Sequence, residues 1–95
     1  MKYTPVSHDE ARATASLQAW SVEEGALVRE FRVGNFAAIA QFVSAIVAAS
    51  ERLNHHPDVD IRYPDRVTVR LTTHAIRGLS TLDVQLAEEI SNLAG

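Results

Sequence analysis

Asp58-Val59-Asp60-Ile61-Arg62-Tyr63-Pro64-Asp65-Arg66-Val67-Thr68-Val69-Arg70-Leu71-Thr72 is the stretch that decides how this chain folds. Val59, Ile61 and Tyr63 alternate with Asp58, Asp60 and Arg62, and Val67, Val69 and Leu71 alternate with Thr68, Arg70 and Thr72. Successive side chains leave a pleated backbone on opposite sides, so this period of two marks strands with one buried face and one wet face. Pro64-Asp65-Arg66 between them carries turn chemistry, and the pair reads as an antiparallel hairpin. For both apolar sets to share a face across a three-residue turn, Tyr63 must pair with Val67. Extended to the open end of the hairpin, that register places Pro57 opposite Thr73 and His56 opposite His74.

The residues just before the hairpin, Glu51-Arg52-Leu53-Asn54-His55-His56-Pro57, place two of the chain's four histidines where a helix must stop. Pro57 cannot continue a helix, and it disfavours helical geometry in the residue before it. The hairpin register then adds His74, so three imidazoles converge at one mouth. Imidazoles titrate near neutrality, and a cluster lets one ring be charged while another is neutral, which suits general acid and base work. Glu51, about one turn before His55, can orient a ring or stabilise its cation. A zinc site is the weaker chemical reading, because adjacent histidines point apart and no nearby carboxylate completes the set. A purely structural alternative has His55 and His56 capping the helix C-terminus and His74 satisfied in a loop.

Working back towards the N-terminus, Asn35 can cap a long helix running to about Asn54. Phe36, Ile39, Ala40, Val43, Ile46 and Val47 recur at helical spacing as one wide apolar face. Phe42, Ala45 and Ala49 lie off that stripe. So wide a band predicts either a homo-oligomer or neighbouring helices that cover it. Leu27, Phe31 and Val33 alternate with Val28, Glu30 and Arg32, and Leu17 to Val22 reads as their strand partner across Glu23-Glu24-Gly25. Ser7 and Glu10 form a capping box for a short first helix to about Ser16, with His8 a solvated first-turn residue. Ser80-Thr81-Leu82-Asp83 forms another, before a final helix marked by Leu82, Leu86, Ile90 and Leu93. The order αββαββα predicts an α+β fold in which helices pack on one face of a four-stranded antiparallel sheet.

Composition narrows the partners. With 95 residues, no cysteine, 46% hydrophobic and 22% charged residues, the chain reads as one domain spanning residues 1–95, with neither disulfides nor thiolate metal sites. A net charge of −3 offers no footprint for phosphate backbones, so no direct nucleic-acid partner is expected. The apolar stretch Phe36 to Ala49 reads as too short for a membrane span, no signal peptide is evident, and the cytoplasm is the default location.

Glu51-x-x-x-His55-His56-Pro57, Tyr63, His74 and Asp83 together resemble the signature of the pterin-4a-carbinolamine dehydratase family. Trp20, Phe31, Asn35-Phe36, Thr73-His74 and Gly78-Leu79-Ser80 extend the resemblance over nearly the whole chain. It implies the same αββαββα fold, a homodimer or homotetramer, and a hydro-lyase that dehydrates 4a-hydroxytetrahydropterin to quinonoid dihydropterin without metal or organic cofactor. That reaction recycles the tetrahydropterin used by aromatic amino acid hydroxylases. Carried over residue by residue, the resemblance makes His55, His56 and His74 catalytic, with His55 and His74 as acid and base and His56 concerned with holding the substrate. It assigns Glu51, Pro57, Trp20 and Thr73 to substrate binding. Asp83 also matches the family, but its capping-box spacing accounts for it, and it stays outside the catalytic set. Two departures stand out: the Tyr63 to His74 interval is one residue longer than is usual, and Leu82 replaces an arginine that some members carry, for which Arg77 can substitute. The resemblance leaves a second function open, a non-catalytic binding or dimerisation-cofactor module of the same fold.

Overall fold

The computed structural model describes residues 2–95. Its strands are β1 (Pro5–Val6), β2 (Ser21–Glu23), β3 (Ala26–Arg32), β4 (Asp58–Arg62), β5 (Arg66–Leu71) and β6 (Leu79–Ser80). Its helices are α1 (His8–Ala13), α2 (Phe36–Leu53) and α3 (Thr81–Ala94), with single 3-10 turns at Ala15–Leu17 and His74–Ile76. The main sheet is antiparallel in the order β2-β3-β5-β4, and β1 pairs with β6 as a separate two-stranded ribbon. The fold is therefore the expected α+β arrangement with one addition, the ribbon that ties the N-terminal segment to the start of α3.

The alternation in the sequence becomes two sheet faces. Leu27 and Phe31 of β3 and Val67, Val69 and Leu71 of β5 join Ile39, Phe42, Ile46 and Ala49 of α2 and Leu86, Ala87 and Ile90 of α3 in one buried cluster. The opposite face carries Val28, Glu30, Thr68, Arg70, Asp58 and Asp60 and stays wet. In the first hairpin, Glu24 and Gly25 take φ of 48° and 78° between the paired Glu23 and Ala26. Positive φ at both central positions suits a two-residue turn to the right-handed twist of the strands. Leu17 is not in a strand as anticipated. It is buried from the 3-10 turn, and β2 begins only at Ser21.

Two expectations are corrected. The second hairpin pairs Arg62 with Arg66 and Ile61 with Val67, so the turn is Tyr63-Pro64-Asp65 and the register is shifted by two residues. A two-residue shift keeps every side chain on its face, which is why the apolar pattern alone does not detect it. Asp65 selects the observed turn: its carbonyl accepts from Val33 N at 2.9 Å, and its carboxylate accepts from Arg32 Nε at 3.1 Å and Gly34 N at 3.3 Å. The second correction concerns α2, whose buried side is Ile39, Phe42, Ile46, Ala49 and Ser50, a stripe rotated from the expected one. Phe36 and Val47 face outward instead, 55% and 53% exposed. At 18 residues α2 is also long and apolar enough to cross a bilayer, contrary to the estimate from Phe36 to Ala49. Here it packs as the core helix on the sheet and against α3.

Candidate active site

Helix α2 ends in a way that aims the two adjacent histidines apart. Asn54 takes the left-handed conformation (φ 51°, ψ 44°) and donates its backbone N–H to Glu51 O, while His55 N reaches back to Ser50 O at 3.0 Å. This paired closure satisfies two carbonyls that the helix end would leave bare, and it turns the chain sharply. His55 is thereby carried inward and His56 outward.

His55 is buried, and its Nε2 lies 2.5 Å from Oδ1 of the fully buried Asp83. The second carboxylate oxygen of Asp83 accepts from Ser80 N at 2.9 Å, which caps α3, and from Thr73 Oγ1 at 2.7 Å. Thr73 has one hydroxyl hydrogen and spends it on Asp83, so Ser80 Oγ must donate to Thr73 Oγ1 across their 2.7 Å contact. An ionised carboxylate only accepts, so Nε2 of His55 carries a proton, and Nδ1 is the nitrogen left for a ligand. Asp83 thus fixes the imidazole's orientation and tautomer.

His55, His56 and His74 line one cleft of about 220 Å³ together with Asn54, Thr72, Thr73, Ala75 and Tyr3. The convergence expected from the sequence is present, although with the observed register His56 extrapolates towards Thr72, and His74 enters from the 3-10 turn after β5. A larger hollow, about 540 Å³, lies over the wet face of the sheet among Glu23, Asp58, Asp60 and Arg70. It holds no imidazole, so the smaller cleft is the one equipped to move protons near neutrality. Among the described residues, no three His, Asp or Glu side chains gather as a metal-binding group.

The remaining candidates separate. Glu51 Oε2 meets His56 Nε2 at 2.6 Å, so it holds His56 and not His55. Thr73 is buried and commits its hydroxyl to Asp83 and Ser80, so it supports the site as well as lining the cleft. Pro57 lines a separate apolar hollow with Ile46, Val47, Ser50, His56 and Val59, and is not among the residues lining the histidine cleft. Trp20 does not line the cleft. It is buried edge-on to Phe31 at 5.8 Å, with its Nε1 donating to Ser91 Oγ at 2.9 Å. Arg77 caps the 3-10 turn in the left-handed conformation, also outside the cleft lining. Two residues of the site stand outside the set expected from the sequence. Asp83 was absorbed by its capping box, whose spacing is silent about the second oxygen, and Tyr3 precedes a two-residue strand too short to carry a periodic signal.

Comparison with known proteins identifies the family and the fold. Residues 4–93 match the family model described as pterin 4 alpha carbinolamine dehydratase. A protein of Chloroflexus aurantiacus, provisionally named a pterin-4-alpha-carbinolamine dehydratase, is 42% identical over 85 residues, covering 90% of each chain. One of Metallosphaera sedula, named in the same provisional way, is 37% identical over 82 residues, covering 86% of this chain and 84% of its own. Among solved structures, a transcriptional coactivator/pterin dehydratase from Brucella melitensis superposes with a TM-score of 0.85 at 26% identity, over 97% of this chain and all of that one. A pterin dehydratase-like protein identified as a RuBisCO assembly factor in the alpha-carboxysome shares the fold, with a TM-score of 0.65 at 22% identity over 80% of this chain and 87% of that one.

Proposed function

The chain belongs to the pterin-4a-carbinolamine dehydratase family, and from that premise we propose that it dehydrates 4a-hydroxytetrahydropterin to quinonoid dihydropterin by histidine acid–base catalysis, in tetrahydropterin recycling. The observation that carries the reading is the cleft that collects His55, His56 and His74, with His55 seated on the buried carboxylate of Asp83. In the reaction the C4a–O bond breaks, the neighbouring ring nitrogen loses its proton, a carbon–nitrogen double bond forms, and water leaves. Two proton transfers at adjacent atoms are required, one in each direction. His55, as an imidazolium backed by Asp83, protonates the departing hydroxyl, and His74, exposed in the same cleft, takes the nitrogen's proton as the neutral base. Each transfer is worth about 10²–10⁴ in rate. One turnover leaves His55 neutral and His74 charged; His74 then gives its proton to solvent, and a proton from solvent returns to His55 through the opened cleft, which resets the pair. His56, held by Glu51 at the rim, positions the substrate.

The test is the rate of dehydration of a 4a-carbinolamine generated in situ, comparing the wild type with His55→Ala and His74→Ala. Each variant is expected to lose most of the catalysed rate. A wild type no faster than the uncatalysed background rules out the enzyme reading.

A second reading has its own support. Phe36, Val47, Ile61 and Tyr63 form an uncovered apolar band between α2 and the edge strand β4, with Phe36 and Tyr63 in contact at a ring separation of 5.7 Å. Edge strands and large apolar patches invite partners. We assign this band to self-association into a homodimer or homotetramer. It also fits a binding or assembly module without catalysis, the outcome if the dehydration assay is negative.

A further inference from the structure

We propose that Tyr3 is the stacking wall of the cleft, the residue that selects a flat bicyclic ring and holds it face-on while the histidines work at its edge. This rests on the pterin reading above and adds a residue to it.

The histidines offer proton donors and acceptors, but a planar heterocycle also needs an apolar surface for its face. Of the residues that family resemblance assigns to substrate binding, the apolar two do not supply one in this cleft: Trp20 is spent in the core, and Pro57 lines the hollow on the α2–β4 side. Tyr3 does line it, and among the described residues it is the only benzene-type ring in that lining. Its position is fixed by the fold. Thr4 O accepts from Thr81 N at 3.0 Å, and Pro5 and Val6 pair with Ser80 and Leu79. Ser80 is the residue whose hydroxyl reaches Thr73 and whose amide meets Asp83, so the ribbon registers Tyr3 against the same hub that seats His55. Half-buried, the ring still has area to offer a ligand. Lys2 Nζ lies 5.5 Å from the ring centroid and adds a positive charge at the mouth.

The experiment uses the full chain with Tyr3→Ala and Tyr3→Phe, read by steady-state kinetics on the carbinolamine and by fluorescence titration with a stable 7,8-dihydropterin. Tyr3→Ala is expected to raise both KM and the dissociation constant by about tenfold with kcat little changed, as for loss of an aromatic contact made equally in ground and transition states. Tyr3→Phe, which keeps the ring, is expected to behave as wild type, with matching circular dichroism for all three proteins. An active wild type whose KM and dissociation constant survive Tyr3→Ala overturns the inference alone. So does a Tyr3→Phe variant as impaired as Tyr3→Ala, since the hydroxyl and not the ring would then be the binding group. A wild type that neither turns over nor binds pterin removes the parent reading, and this one with it.

Discussion

His55 Nε2 and Asp83 Oδ1 sit 2.5 Å apart across 28 residues of sequence, joining the end of α2 to the first turn of α3. The same carboxylate closes the N-terminus of α3 through Ser80 N, so one side chain serves helix capping and the site together. With the pair buried and every oxygen of Asp83 engaged, the imidazole has little freedom to turn. The fold thereby presents Nδ1 to the cleft in advance of any substrate, which is the preorganisation that acid–base catalysis requires.

Asp83→Asn separates the two duties. The amide oxygen can still accept from Ser80 N and Thr73, which directs the NH₂ group at His55 and obliges Nε2 to accept. His55 is then confined to a neutral ring with its proton on Nδ1 and loses its stabilised cation. The expected result is a fall in kcat of about 10²-fold or more with the fold intact. A near-wild-type kcat would show that Asp83 is a helix cap and nothing else.

Asp83→Ala removes both duties and reads in stability. It removes Asp83's half of the α3 capping box and leaves His55 and Thr73 with unsatisfied buried groups, for an expected loss of about 3 kcal/mol in urea unfolding. Loss below about 0.5 kcal/mol, within the range of an ordinary surface change, would contradict the hydrogen-bond network.

What the sequence conveyed and what it hid divide along physical lines. Period-two alternation named the faces of β3, β4 and β5, because burial acts on parity. The hairpin's register escaped, because Tyr63-Pro64-Asp65 and Pro64-Asp65-Arg66 turns preserve the same parity, and only the contacts of Asp65 to Val33 and Gly34 choose between them. The inward side of α2 was misjudged because the apolar residues spread wider than the buried side: Phe36, Ala40 and Val47 on its flank pull the expected stripe towards them, although the exposed Gln41, Ser44, Glu51 and Arg52 lie opposite the side that is buried. His55, His56 and His74 reach one cleft even though the expected opposition of His56 and His74 fails with the register, because a proline stop and the far end of the same hairpin still bring them to the same end of the sheet. The partners of those rings were not placed correctly, since Glu51 could serve either histidine by spacing, and a capping box uses one oxygen of Asp83 and says nothing of the other.

Asn54 occupies a left-handed position that costs most residues about 1–2 kcal/mol and that asparagine tolerates better. Asn54→Ala is expected to destabilise the protein by about 1 kcal/mol and Asn54→Gly by less than about 0.5 kcal/mol. Because this residue turns the chain into His55, the alanine variant should also lower activity. Equal stabilities for the alanine and glycine variants in thermal or urea unfolding would argue that the backbone at the end of α2 relaxes out of this conformation.

The uncovered band along α2 and β4 makes the last prediction. Tyr63 is 78% exposed although its ring meets that of Phe36 at a tilt, and Ile61 of β4 and Val47 of α2 are about half exposed. A 95-residue chain that leaves this much apolar surface bare next to an unpaired strand edge gains by covering it with a second copy of itself. Light scattering on the wild type should give a dimer or tetramer at micromolar concentration. Val47→Glu and Ile61→Arg, each placing a charge where the copies would meet, should shift the mass to monomer while circular dichroism stays unchanged, since neither side chain contributes to the buried core. A monomeric wild type would leave the band to a different partner. An oligomer indifferent to both charges would place the contact on another face.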